Sequence, residues 1–361
     1  MKKLFFPLLV LGLFLASCQK ESSELKVQQT NDIAVDMSDF YVYTSEAVEE
    51  STGVKAAHVH GPACKCGSMK VLNQKLKENP GLEKRMYAIE KHTRQLIAAK
   101  SSSTNKGKPV KPDPDPDPDP VPYQGTITIP VIVNILEDPA HPVTQAHIDS
   151  QIDILNEDFN DLNPNTGGVP TEFNDDIADC NITFVLAGVN RKASTKSSWG
   201  TNDAMKYASQ GGIDATDPTS FLNFWVCEIG GGILGYAQFP GGALETDGVV
   251  IGSDFFGENS RGGEYGYGRT ATHEVGHWLN LRHIWGDGRC RQDDFVTDTP
   301  SSDRANYGCP SYPTVHCRTN DMTMNFMDYV NDNCMYMFTN GQNDRMRALF
   351  AAGGAREGFV Q

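Results

Sequence analysis

Proline and aspartate alternate from Pro112 to Pro120, and neither a helix nor an inner strand can run through that stretch. Each proline fixes its own φ and removes a backbone donor, while the aspartates repel one another. The segment is therefore expected to extend at about 3 Å per residue as a semi-rigid spacer. On this reading the 361 residues form two units joined by a linker over 101–123. The charge divides at the same place. Residues 1–123 carry 17 basic and 15 acidic side chains and residues 124–361 carry 14 and 31, so the net charge of −15 belongs to the second unit. So acidic a surface argues against a nucleic-acid partner, which needs basic groups to displace phosphate counterions. A hydrophobic content of 39% is enough for a globular core.

The N-terminus reads as an export signal over 1–17, with Lys2 and Lys3 before an apolar run from Leu4 to Leu15. That run is too short to span a bilayer as a helix. It ends in Leu15-Ala16-Ser17-Cys18, which resembles the lipobox of bacterial lipoproteins and makes Cys18 the expected lipidation site. The polar stretch Gln19 to Glu24 resembles the tag that sends some lipoproteins to the cell surface. An outer-membrane or surface lipoprotein is expected, tethered by acyl chains alone, with the second unit released after processing. The compartment is oxidising, so an even number of cysteines should pair, and Cys18 accounts for the odd one of nine.

Residues 19–60 are polar and without period, and loose order is expected there. Residues 68–99 place Met69, Leu72, Leu76, Leu82, Met86, Ile89 and Leu96 at helical spacing, broken at Pro80-Gly81. Two such helices are too small for a core of their own and are expected to lean on the other unit. Beyond the spacer, strands are predicted at 126–136, 182–186, 221–226, 235–239 and 248–251. Helices are predicted at 144–159, 269–280 and 341–351. Alternation of this kind before an irregular, Cys-rich end implies an α/β unit on a mixed sheet.

The most informative residues are His273-Glu274-Val275-Gly276-His277, followed by His283. On a helix His273 and His277 stand one turn apart on one face and can reach one ion. His283 can join them only if the chain leaves the helix and turns back. Three neutral imidazoles leave a fourth zinc position open for water, and Glu274 beside it is placed to act as general base.

The extended motif resembles that of the metzincin clan of metallopeptidases, HExxHxxGxxH followed by a methionine turn, with Asn280 in place of the helix-ending glycine. Asn is the non-glycine residue best able to take the left-handed conformation required there. The resemblance implies a mixed, twisted five-stranded sheet, an active-site helix and a loop-rich C-terminal subdomain. It makes Met327 the methionine of the turn and Tyr329 the phenol that steadies the oxyanion. Within the clan the closest resemblance is to the pappalysin family, over most of 124–361 and part of the first unit. It implies zinc endopeptidase activity on proteins or peptides, a monomer, and disulfides Cys290–Cys317 and Cys309–Cys334. The stretch from Cys290 to Pro300 resembles a calcium loop, with Asp294, the Val296 carbonyl, Asp298 and Thr299 as ligands; a merely acidic turn is the plainer reading. Gly230 to Pro240 is similar to the family's edge strand above the cleft, where an extended peptide would pair, or is a simple hairpin. The family's acidic residue at the base of the pocket after the scissile bond corresponds to Asn333, which puts a preference for arginine in doubt, although the neighbouring Asp332 and the acidity of the whole unit could still favour basic residues.

Cys66-Gly67 and the helical stretch after it resemble the family's prosegments, whose cysteine caps the zinc in a latent proform, so 18–100 is expected to be the protein's own inhibitor. Cys64 is the competing switch residue, and an independent His/Cys site around His58 and His60 is another possibility. Cys180 and Cys227 are expected to be buried, unpaired thiols. A different class, a surface-binding lipoprotein on a silent scaffold, has no need of Glu274. A small-molecule zinc hydrolase has no need of an open edge strand.

Overall fold

The computed structural model describes residues 33–44, 66–104 and 121–360. The export signal, Cys18, Cys64 and the Pro/Asp run lie outside them. Among the described residues no helix is long and apolar enough to cross a membrane.

The central strand is β1, Ile127–Glu137, in which Ile127, Ile129, Val131, Ile132, Val133, Ile135 and Leu136 are all buried. A strand apolar on both faces needs cover on both and neighbours on both edges, as in parallel sheets. Four further strands supply the sheet: β2 (Ile182–Ala193), β3 (Leu222–Cys227), β4 (Gly235–Ala237) and β5 (Val249–Gly252). Their order is β2-β1-β3-β5-β4, parallel throughout except β4, which runs antiparallel to β5 at the edge. β2 continues seven residues past its predicted end at Leu186. It is the other edge strand, so its polar residues Asn190, Arg191 and Lys192 can face solvent while the backbone stays paired to β1.

One face of the sheet packs on helix α3 (Gln145–Asp158) and helix α4 (Arg269–Trp278), through Ile148, Leu155, Ala271, Val275 and Trp278. The other face is covered by Trp199, Met205 and the loop around them. The C-terminal part is irregular, with two-residue strands β6 (Tyr307–Gly308), β7 (Val315–His316), β8 (Thr319–Asn320) and β9 (Tyr329–Val330). Helix α5 (Asn340–Ala348) closes it. Disulfides Cys290–Cys317 and Cys309–Cys334 fasten this region, while Cys180 and Cys227 are buried free thiols on either side of β1.

The helices before the spacer are α1 (Ser68–Glu78) and α2 (Gly81–Thr104), and they do lean on the second unit. Met69, Leu72, Leu76, Leu82 and Met86 close a small core of their own only by adding Val42 and Phe239, and Val71 enters the cluster beneath Tyr236. Residues 33–44 correct the expectation of loose order. The Tyr41 hydroxyl donates to the carbonyls of Gly286 and Asp293, and the Arg282 guanidinium lies 4.4 Å from the Tyr41 ring. Within the polar stretch 19–60 these residues are locally apolar, and Phe40, Tyr41 and Val42 pack on Tyr87, Phe295 and the helices before the spacer without forming a regular element.

A buried ion pair fixes α2 to α5. Glu90 accepts from Arg345 at 2.7 and 3.1 Å and from Arg94 at 2.7 Å. Burial pushes the Glu90 carboxyl up, but the two guanidiniums outweigh it and hold it at about 2. A depressed carboxyl contributes in full above its ordinary range and is lost as pH falls from about 4.5 to about 2, an effect on the order of 3 kcal/mol. In a chain cut in the linker, the hold of α2 on α5 should therefore weaken as pH falls from about 4.5 toward about 2. Gel filtration across that range checks it, and Glu90→Gln should remove the pH dependence.

Candidate active site

Helix α4 carries His273, Glu274 and His277 on its inner side, all buried. It stops at Trp278, two residues short of the predicted end, and Asn280 takes φ 69, the left-handed conformation expected of the residue replacing glycine. The Leu281 amide then donates back to the Gly276 carbonyl at 2.9 Å, closing the helix end and sending His283 back toward the other two histidines.

Each imidazole is held through Nδ1. His273 donates to the Phe326 carbonyl and His277 to the Leu281 carbonyl, both at 2.8 Å, and His283 to Asp287 Oδ1 at 2.5 Å. This places a lone pair on each Nε2, and the three Nε2 atoms converge. Those of His277 and His283 are 3.2 Å apart, and that of His273 is buried with no hydrogen-bond partner among the described residues. Burial and the neighbouring rings push His273 down to about 3 and His277 well below its ordinary value, so both stay neutral. Three buried, converging lone pairs repel one another unless a cation sits among them, and nitrogen donors in this number fit zinc. Asp287, four residues after His283, was not singled out in the sequence; its role depends on a loop conformation that composition does not encode.

The fourth direction is occupied by Cys66. Its Sγ is 3.5 Å from His277 Nε2, and the sulfur and the three histidine nitrogens all lie within 4.8 Å of one another. Cys66 pairs in parallel with Gly235 of edge strand β4, and the Gly67 amide donates to the Gly235 carbonyl at 2.8 Å. Ser68, which the sequence did not flag, is fully buried. Its hydroxyl donates to Glu274 Oε2 at 2.6 Å and accepts from the Ala237 amide at 2.7 Å. Burial pushes the Glu274 carboxyl up to about 7. A Cβ at Gly235 would lie 3.1 Å from Glu274 Cγ and 3.0 Å from the Val250 carbonyl oxygen, so glycine is what brings the edge strand this close to the helix.

Met327 lies fully buried beneath the histidines, and a Cβ at Gly276 would meet its Sδ at 2.4 Å. Gly276→Ala should therefore cost about 1–3 kcal/mol by overpacking and weaken metal retention, readable as a lower urea midpoint and faster loss of metal to a chelator. The Tyr329 ring stands edge-on to His283 at 4.8 Å and 5.7 Å from His273.

Beside His273 and Glu274 opens a cavity lined by Leu234, Tyr265, Thr270, Val330, Met335 and Asp332. This corrects the assignment of Asn333 to the pocket. Asn333 is exposed, with its amide oxygen near the Cys309 and Cys334 sulfurs, because the short helical turn at 332–334 alternates its side chains between the cavity and solvent. Asp332 is the buried acid instead, accepting from the Tyr267 and Arg269 amides at 3.0 and 3.1 Å, and burial raises its carboxyl to about 7.

The proposed calcium loop divides. Thr299 Oγ1 lies 2.9 and 3.0 Å from the Asp294 oxygens and 3.0 Å from the Val296 carbonyl, so these three converge. Asp298 does not join them: its two oxygens accept from Thr339 Oγ1 and the Gly341 amide, both at 2.7 Å, at the start of α5. A carboxylate at a helix N-terminus satisfies donors that the helix leaves unpaired, which explains its direction.

The chain is similar in sequence and fold to known proteins. The peptidase M43 family, described as Pregnancy-associated plasma protein-A, matches residues 213–351. Extracellular metalloproteases of Pyricularia oryzae and Colletotrichum graminicola are 39% and 35% identical over 191 and 222 residues. These are 49% and 58% of this chain and 64% and 70% of theirs. Mature mirolysin of Tannerella forsythia, in complex with a cleaved peptide, matches at 41% identity and TM-score 0.64 over 66% of this chain and 96% of its own. The chain belongs to the M43, or pappalysin, family of metalloproteases. A point mutant of promirolysin matches at 36% identity and TM-score 0.69 over 82% of this chain and 96% of its own. Residues 124–361 make up only about two thirds of the chain, so a match of that length includes residues before the spacer.

Proposed function

We propose that this M43 chain is an exported zinc endopeptidase made in a latent form, its residues 18–100 occupying its own cleft. The observation that carries the reading is the convergence of three buried Nε2 atoms beside Glu274, under an edge strand whose Gly235 carbonyl and Ala237 amide are already taken by the Gly67 amide and the Ser68 hydroxyl. A zinc ion held by His273, His277 and His283 would supply Lewis acidity and bring the pKa of a bound water to about 7. Glu274, freed of Ser68, takes the proton from the attacking water and delivers it to the departing amine. Tyr329 donates to the oxyanion as it develops. The Gly235 carbonyl and the Ala237 amide, which in the latent form meet Gly67 and Ser68, pair with the substrate backbone in their place. The prosegment runs parallel to β4, so its peptide bonds are not presented as those of an antiparallel substrate would be.

Asp294, Val296 and Thr299 support a structural calcium ion as a second metal. The lipobox-like end of the signal supports anchoring through Cys18, upstream of the spacer, so that cutting the linker both opens the site and releases the enzyme. Monomeric behaviour is proposed with it. Incubating the purified chain, sequencing the new N-terminus and assaying protein cleavage with and without a zinc chelator tests the whole reading. Undiminished cleavage after chelation overturns it.

Asp332 supports a preference for arginine or lysine directly after the cut. Because its carboxyl titrates at about 7, that preference should sharpen as pH rises from about 6 to about 8 and disappear in Asp332→Ala. A cleavage-site profile on a peptide library at the two pH values measures both.

A further inference from the structure

The cavity at Asp332 lies at the Gly235 end of the edge strand. Toward its other end, past Ala237, helix α1 covers a second groove, whose floor is formed by Tyr207, Gln238, Phe239, Ala243 and Thr246. Lys75, which lines this groove from α1, meets a buried carboxylate beside it, Asp203, that nothing in the peptidase mechanism uses.

Asp203 is 1% exposed, and its two oxygens have different surroundings. Oδ1 is fixed from within the catalytic unit, accepting from the Tyr236 hydroxyl at 3.1 Å and lying 3.1 Å from the ammonium of Lys206. Lys206 is itself buried and donates to the Thr246 carbonyl at 2.7 Å. Oδ2 makes no hydrogen bond within the catalytic unit among the described residues; it meets the ammonium of Lys75, on α1, at 2.9 Å. When α1 departs, Asp203 keeps the bonds that hold its conformation and loses the cation on its open oxygen. What remains is a pre-set, partly desolvated acceptor at the place that the Lys75 ammonium leaves, next to the groove beside the edge strand. A basic side chain is the group that satisfies it.

Lys75 also indicates which substrate residue reaches that point. Ser68 bonds Ala237, and Lys75 lies seven residues further along α1, about 10 Å along its axis. An extended peptide covers that distance in about three residues.

We propose that Asp203 is a specificity residue that takes a lysine or arginine of the peptide substrate three or four residues before the scissile bond, and that Lys75 holds its place in the latent form. Together with Asp332 this puts one acid on each side of the cut. The inference rests on the endopeptidase reading above. It goes beyond a docking contact for the prosegment, because it assigns Asp203 a role after the prosegment has gone.

The test uses processed, zinc-loaded enzyme and one peptide with a fixed scissile bond, carrying Lys or Nε-acetyl-Lys at the second, third or fourth position before it. kcat/KM should be about tenfold higher for Lys than for acetyl-Lys at the third or fourth position and equal at the second. In Asp203→Asn the difference should vanish. Should that variant fold poorly, with Lys206 left short of a partner, the wild-type comparison alone still decides. Equal kcat/KM for Lys and acetyl-Lys at all three positions overturns the assignment, as does a preference that survives Asp203→Asn. Failure to cleave any of the peptides overturns the endopeptidase reading and this inference with it; cleavage without discrimination overturns only the latter.

Discussion

Replacing Glu274 by alanine is expected to lower kcat/KM on any peptide by about a thousandfold or more while leaving the zinc content of the processed enzyme unchanged. The size follows from what the carboxylate does. A positioned general base contributes about 10²–10⁴ in rate, and in the proposed mechanism the same group also delivers the proton to the amine, without which the tetrahedral species returns to substrate. The zinc content follows from the geometry: all three histidines are held through Nδ1 by Phe326, Leu281 and Asp287, and none leans on Glu274. Metal analysis and a fluorogenic peptide assay on the same preparation separate the two effects. Retained activity would exclude Glu274 as the base, and loss of zinc would mean that the carboxylate supports the metal site. In the uncut chain the same change should also leave the prosegment held less firmly, because Ser68 loses its acceptor, but without restoring activity.

The second large effect is expected from the prosegment. Cys66→Ala should raise the activity of the uncut chain by about a hundredfold, and Ser68→Ala by about tenfold. Cys66 supplies a sulfur at the position that water must occupy, and a thiolate on zinc is among the stronger ligands available to a protein. Ser68 makes a hydrogen bond to a buried carboxylate, which contributes about 1.5–3 kcal/mol, and each 1.4 kcal/mol is a factor of ten in the closed population. Both residues leave with the prosegment, so neither substitution should alter the processed enzyme. Equal activity of variant and wild-type uncut chains would sink the two-point lock. An effect that persists after processing would show that the substitutions act on the fold.

Much of this protein was legible in its sequence. The helix with His273 and His277, its termination at Asn280 and the return of His283 follow from spacing and from the small set of residues that tolerate positive φ. The five strands follow from their apolar runs, although β2 exceeded its predicted end because an edge strand needs only one apolar neighbour. The pairing of the four loop cysteines came from family resemblance, since spacing alone leaves three pairings open.

Other features were set by contacts between residues distant in the chain. That Asp332 and not its neighbour Asn333 faces the cavity depends on how one short turn is rotated against α4, and a shift of one residue reverses the answer. Asp298 lies among plausible calcium ligands in sequence but is drawn to the unpaired donors that open α5. Ser68 and Lys75 are ordinary polar residues of an amphipathic helix until α1 docks, and only docking places one on Glu274 and the other on Asp203. The sequence by itself determined the chemistry, because metal-ligand spacing on a helix is a local property. Only the tertiary structure placed Cys66, Ser68 and Lys75 on the histidines, Glu274 and Asp203, because that depends on which side chains from separate elements are brought to the same few ångströms around the cleft.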